Sequence, residues 1–86
     1  MTIYAYLNPV ELQQTVFVAD GKEVVKERNC LTMSVVPTII QLCQEYPEVD
    51  SIKFKGGQDY VNKYILDLKA PELINFTKHC EIDCIE

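Results

Sequence analysis

Only 8 of the 86 residues are lysine or arginine, against 13 aspartates and glutamates, so the chain carries a net charge of −5. The cations are scattered (Lys22, Lys26, Arg28, Lys53, Lys55, Lys63, Lys69, Lys78) and form no run. Affinity for DNA or RNA rests on cations that neutralise phosphates, so no nucleic-acid partner is expected. The acidic balance fits an ordinary solvated surface or a face that meets a basic protein partner. Histidine occurs once, as His79. It adjoins Cys80, and neighbours on a strand point to opposite faces, which argues against a nucleophile pair. No Ser/His/Asp set is apparent.

Long apolar runs are also missing. Nothing approaches the roughly 20 residues that span a bilayer. Met1-Thr2-Ile3-Tyr4 shows no basic start followed by an apolar block, as a secretory signal would. A cytoplasmic protein with no membrane partner is expected. Glycine (3) and proline (4) are sparse and fall between apolar runs, and there is no repeat or low-complexity tract. With 48% apolar and 24% charged residues the composition is globular. One domain, residues 1–86, is expected, since a chain this size buries roughly 60–65% of its unfolded surface.

What is present reads as alternating strands and helices. The stretch Glu48 to Gly57 is pivotal: Val49, Ile52 and Phe54 supply a short apolar strand, and Gly56-Gly57 ends it. Upstream, Ile3, Ala5 and Leu7 alternate with Tyr4 and Tyr6 in a first strand stopped by Asn8-Pro9. A second strand is expected over Glu11–Ala19. Asp20-Gly21 then suits the centre of a type I′ hairpin, which would set Ala19 opposite Lys22 and Phe17 opposite Val24. The third strand, Lys22–Arg28 and on towards Leu31, is charged enough to be a protected edge.

Ser34 is placed to cap a helix running to Tyr46, with Pro37 in its first turn and Val36, Ile39, Ile40, Cys43 and Tyr46 at helical spacing. A second helix is expected over Asp59–Lys69, its apolar set being Tyr60, Val61, Tyr64, Ile65 and Leu68. Pro71 interrupts it, with a short helical piece continuing through Phe76. The alternation of Cys80, Ile82 and Cys84 with Glu81 and Asp83 predicts a closing strand.

The expected fold is therefore α/β: a single small domain with a mixed β-sheet, β-β-β-α-β-α plus a final β, two helices lying mainly on one face. This element order resembles the ribonuclease H-like fold of nucleases, integrases and the halves of actin-like ATPases. Ile52-x-Phe54-x-Gly56-Gly57 likewise resembles the strand and diglycine of an actin-like nucleotide site. A nuclease of that family implies an acid in the first strand and another at the end of the fourth. Here Ile3–Leu7 holds no carboxylate and is followed by Asn8, and the fourth strand ends on glycines with Asp59 one turn late. Such a site cannot hold paired Mg²⁺ ions, so no cleavage of nucleic acid is expected.

Two further ligand readings are weighed. Gly56-Gly57 ahead of a helix can admit a phosphate, but Gln58-Asp59 puts a carboxylate in that place and no Walker lysine follows. A tight strand-to-helix turn is the plainer reading. Zinc needs four ligands in close pairs. Cys80 and Cys84 on one strand stand about 13 Å apart, while Cys43 fits a helix's apolar face. Four free thiols, no metal and no cofactor are expected. The remaining candidates are aromatic: Tyr4, Tyr6, Tyr60 and Tyr64 are an expected interaction surface, because tyrosine joins a large apolar ring to a wet hydroxyl. The function expected on these grounds is a non-enzymatic protein-interaction module, an inhibitor or adaptor of the kind phages and mobile elements carry. A homodimer through the closing strand or the Tyr60–Tyr64 helix face is also expected. The alternative is a degenerate ribonuclease H-like or nucleotide-binding domain with its ligand at Gly56-Gly57.

Overall fold

The computed structural model describes residues 1–8, 10–56 and 80–85. In chain order it contains β1 (Thr2–Tyr6), β2 (Gln13–Asp20), β3 (Glu23–Leu31), α1 (Val35–Glu45), β4 (Ser51–Lys55) and β5 (Glu81–Ile85). The second helix expected over Asp59–Lys69 and the piece through Phe76 lie outside the described residues. The sheet order is β3-β2-β1-β4-β5. β1, β2 and β3 pair antiparallel, whereas β4 runs parallel to β1 and β5 parallel to β4. The result is a mixed five-stranded sheet of α/β class, with one α-helix among the described residues.

Alternation along the strands decides which side is core. In β1, Ile3 and Ala5 are fully buried, while Tyr4 is half-buried and Tyr6 exposed. Val16 and Val18 of β2 and Ile52 and Phe54 of β4 bury on the same side as Ile3. The helix α1 closes that side with Val35, Val36, Ile39, Leu42 and Cys43. Their offsets of 0, 1, 4, 7 and 8 follow the helical period, so one stripe meets the sheet. Val35 and Leu42 complete the stripe; Ile40 and Tyr46, expected within it, sit at its half-buried margin.

The start of α1 differs from expectation. A single 3₁₀ turn, Thr32–Ser34, leads into it, and the Ser34 side chain makes no capping hydrogen bond. The Val35 N–H, one of the donors a helix start leaves unpaired, donates instead to the Thr32 carbonyl of that turn. Pro37 lies in the first turn and is exposed, where its missing N–H costs nothing. At the other end Arg28 of β3 reaches Glu45 at 3.1 Å. The pair is part-exposed, so it orients the helix on the sheet more than it stabilises it.

β3 is an edge strand, as its charges predict, and most of it is exposed. The β2–β3 hairpin, however, is shifted from the expected register. Asp20 pairs with Glu23, so the turn residues are Gly21 and Lys22 rather than Asp20 and Gly21. Gly21 has φ +65°, and among the described residues no non-glycine has positive φ. Positive φ at the first turn position alone is the type II′ pattern, which asks nothing unusual of Asp20. Ala19 then faces Val24, and a β-bulge leaves Val25 extra before Val18 meets Lys26 and Phe17 meets Glu27.

The shifted turn still depends on Gly21. A side chain there would meet open space, so the cost of Gly21→Val is that of the backbone alone. We expect a loss of about 1 kcal/mol or more in urea unfolding. A loss of only a few tenths would contradict this turn.

Candidate functional site

Side chains that alternate with the core residues form the other face of the sheet. Strand pairing sets them in rows across it. One row runs Glu27, Phe17, Tyr4, Lys53, Asp83; the next runs Asn29, Thr15, Tyr6, Lys55. The helix α1 packs on the opposite face, so among the described residues no helix covers these rows.

Three aromatic rings occupy the middle of this face. Tyr4 stacks on Phe17 with centroids 5.2 Å apart and planes 23° from parallel. Tyr6 meets Phe17 edge-on at 5.2 Å and Tyr4 at 6.5 Å with perpendicular planes. These offset and edge geometries are the favoured ones for ring quadrupoles. Tyr6 is 42% exposed, while Tyr4 and Phe17 are half-buried. The Lys55 ammonium lies 5.3 Å from the Tyr6 ring centroid. Beside the cluster the Thr15 hydroxyl donates to Asn29 Oδ1 at 3.0 Å, tying β2 to β3. The arrangement offers an apolar cluster with wet hydroxyls, flanked by two acids, Glu27 and Asp83, and two lysines, Lys53 and Lys55, the latter over a ring.

Of the tyrosines expected at an interaction surface, Tyr4 and Tyr6 therefore come together, while Tyr60 and Tyr64 lie outside the described residues. Phe17 was legible as part of a strand but not as the third member of the cluster. Only the Tyr4–Phe17 pairing, set by β1 and β2, brings it there.

At the expected ligand turn, Gly57 lies outside the described residues. Gly56 has φ +95°, and a Cβ on it would overlap the Leu7 carbonyl oxygen. The Leu7 N–H donates to the Lys55 carbonyl at 2.8 Å. The need for glycine here is thus met by the close approach of the chain leaving β1.

Asn8, which stands near the end of β1, serves as a turn residue. Its Oδ1 accepts from the Val10 N–H at 3.0 Å, and its backbone N–H and carbonyl both bond the Gln14 amide. Among the described residues no group of three or more His, Cys, Asp or Glu is placed to hold a metal.

Cys43 is buried in the core, as its place on the helix stripe predicts, and Cys30, Cys43 and Cys80 are free thiols. Burial, and secondarily the neighbouring Cys80, push the Cys43 thiol up to about 11. Burial, with Asp50 second, raises Cys80, whose thiol donates to the Val49 carbonyl at 3.4 Å. Neither thiol is activated as a nucleophile in these surroundings.

A second exposed feature was not expected from the sequence. Val10, Leu12, Leu31 and Met33 are 90%, 79%, 50% and 79% exposed on two neighbouring segments. The Thr32 N–H and hydroxyl join those segments by bonding the Leu12 carbonyl at 3.0 and 3.2 Å.

Compared with known proteins, the chain matches no family model, no curated protein and no solved structure.

Proposed function

We propose that this chain is a non-enzymatic protein-interaction module whose open sheet face docks a basic protein partner. The observation that carries the reading is the Tyr4–Phe17–Tyr6 cluster on a face that α1 leaves uncovered. Aromatic side chains in the middle of a surface, with polar and charged residues around them, are the composition of a binding patch. Glu27 and Asp83 on this face are balanced by Lys53 and Lys55, so it is the chain's net charge of −5 that favours a cationic partner and repels polyanions.

The layout is proposed as ribonuclease H-like, on the order of three antiparallel strands, a helix and two further parallel strands. In this reading the module has lost, or never had, the metal carboxylates of such nucleases. An inhibitor or adaptor of the phage or mobile-element kind, acting in the cytoplasm without cofactor, fits its small size. Homodimer formation is kept as a proposal for the edge strand β5. The alternative ligand at Gly56-Gly57 gains no support from Gly56, whose geometry Leu7 already requires.

The test is affinity capture from the native host with the wild-type chain beside Tyr4→Ser/Phe17→Ser, each shown by circular dichroism to be folded. We expect a basic protein to be retained by the wild type, to bind it again when purified, and to be lost with the double variant. Equal retention by both chains would remove the aromatic face from the interaction.

A further inference from the structure

Two of the free thiols come together where α1 ends and β5 begins. Cys43 stands in the last turn of α1, 8% exposed and part of the buried cluster. The chain folds back directly after it. The Tyr46 N–H donates to the Leu42 carbonyl at 2.8 Å and the Val49 N–H to the Tyr46 carbonyl at 3.1 Å, which returns Val49 to the helix end. The Cys80 thiol donates to the Val49 carbonyl at 3.4 Å. Cys80 also packs on the cluster that contains both Cys43 and Val49. The sheet fixes its place, because the next residue, Glu81, pairs with Ser51 and donates its N–H to the Asp50 carbonyl at 3.0 Å. Cys30 lies on β3, at the opposite edge of the sheet.

We propose that Cys43 and Cys80 are a redox pair, which a small disulfide such as glutathione disulfide converts into a bond fastening β5 to α1. The pair is independent of the aromatic face. Exposure sets the order of events, since Cys80 is half-buried and Cys43 buried. Cys80 loses its proton and attacks one sulfur of glutathione disulfide, which forms a mixed disulfide and releases one glutathione. Cys43 then loses its proton and attacks the Cys80 sulfur; the bond to glutathione breaks and the second glutathione leaves. Two protein thiols are oxidised, and one disulfide is reduced to two thiols. Only the thiolate attacks, and burial keeps both groups protonated, with Asp50 opposing ionisation of Cys80 and Cys80 that of Cys43. The exchange is therefore slow, taking minutes to hours.

The bond would act on the edge of the sheet. Among the described strands β5 pairs only with β4, so it is the element held by fewest partners at that side. Closing the loop from Cys43 to Cys80 removes freedom from the unfolded chain and ties the start of β5 to the helix. Oxidation thus converts an edge strand that can open into one that cannot leave.

The experiment holds the purified full chain at graded ratios of oxidised to reduced glutathione. Alkylation stops the exchange, and mass spectrometry reads the intact chain and its peptides. We expect a product two hydrogens lighter, with the peptides of Cys43 and Cys80 joined. Cys43→Ala should stop at a glutathione adduct on Cys80, and Cys80→Ala should leave Cys43 unmodified. A chain carrying Cys30→Ala and Cys84→Ala should form the bond as the wild type does. The linked form should melt about 10 °C above the reduced one, and hydrogen exchange should slow at the amides of β5.

A bond that uses Cys30 or Cys84 in place of either thiol would overturn the proposal. So would a wild-type chain that keeps glutathione on Cys80 and never closes the bond. A Cys43–Cys80 link formed only in urea would belong to the unfolded chain, and a linked chain that melts no higher than the reduced one would show a bond that strains the fold; either result also sinks it.

Discussion

Gly56→Ala is expected to destabilise the fold by roughly 3 kcal/mol or more. Two costs coincide at this position. At φ +95° an L-residue is strained whatever surrounds it. The new Cβ would also overlap the Leu7 carbonyl oxygen, which is backbone and cannot swing aside as a side chain would. Leu7 is further held by its N–H bond to the Lys55 carbonyl, so relief must come from parting β1 and β4. Those two strands carry Ile3, Ala5, Ile52 and Phe54, all fully buried. Urea unfolding followed by circular dichroism measures the effect, and a variant that fails to fold lies in the same direction. A loss below about 1 kcal/mol would show that the chain leaving β1 does not approach Gly56 in this way.

Gln14→Leu should cost about 2–3 kcal/mol. Gln14 is the buried polar residue of the described core, only 2% exposed. Its Oε1 accepts the Asn8 N–H at 2.6 Å. Its Nε2 faces the Asn8 and Glu11 carbonyls and the Thr32 hydroxyl at 2.9, 3.0 and 3.0 Å. An amide nitrogen has two hydrogens, so these three acceptors share them. Leucine is similar in size but leaves the Asn8 N–H without its acceptor and takes the amide donor from the Glu11 carbonyl. The Asn8 carbonyl keeps only the Glu11 N–H. Unmet groups cost more than a lost bond gains. Thermal and urea unfolding of the purified variant give the loss. A change below about 1 kcal/mol would mean that water replaces the amide and that the loop is not organised by it.

The parts of the fold legible in the sequence are those set by short-range pattern. Alternation in Ile3–Leu7 places Tyr4 and Tyr6 on the face away from the core, and the spacing of Val36, Ile39 and Cys43 finds the buried side of α1. Charges along β3 mark an edge for the reason that edges are charged. Register was not legible. Asp20-Gly21 satisfies a local turn rule, but the strands settle two or three positions away from it. In the observed register Arg28 comes opposite Val16, on the helix side, where it meets Glu45. That contact spans 17 positions and leaves no trace in the turn itself.

The candidate face was half legible for the same reason. Tyr4 and Tyr6 follow from β1 alone, whereas Phe17 joins them only through the pairing of β1 with β2. Gln14 falls within the strand expected over Glu11–Ala19 and is not singled out by the sequence. Its role depends on Asn8, Glu11 and Thr32 arriving around it, and no local periodicity signals that.

The position of β1 in the sheet bears on how the chain matures as it is made. One neighbour, β2, begins pairing with residues close behind it; Thr2 meets Ala19, 17 positions on. The other, β4, lies 49 positions on, where Thr2 meets Ser51. A growing chain can therefore pair β1 with β2 and β2 with β3 before β4 is made, leaving the final centre of the sheet as an edge. Until Ser51–Lys55 emerges, the backbone groups of β1 on that side are unpaired and Ile3 lacks Ile52 beside it. Because the β1–β4 pairing closes the longer loop, we expect it to form after the β1–β2 hairpin, and β1 is the edge most open to wrong pairing until then.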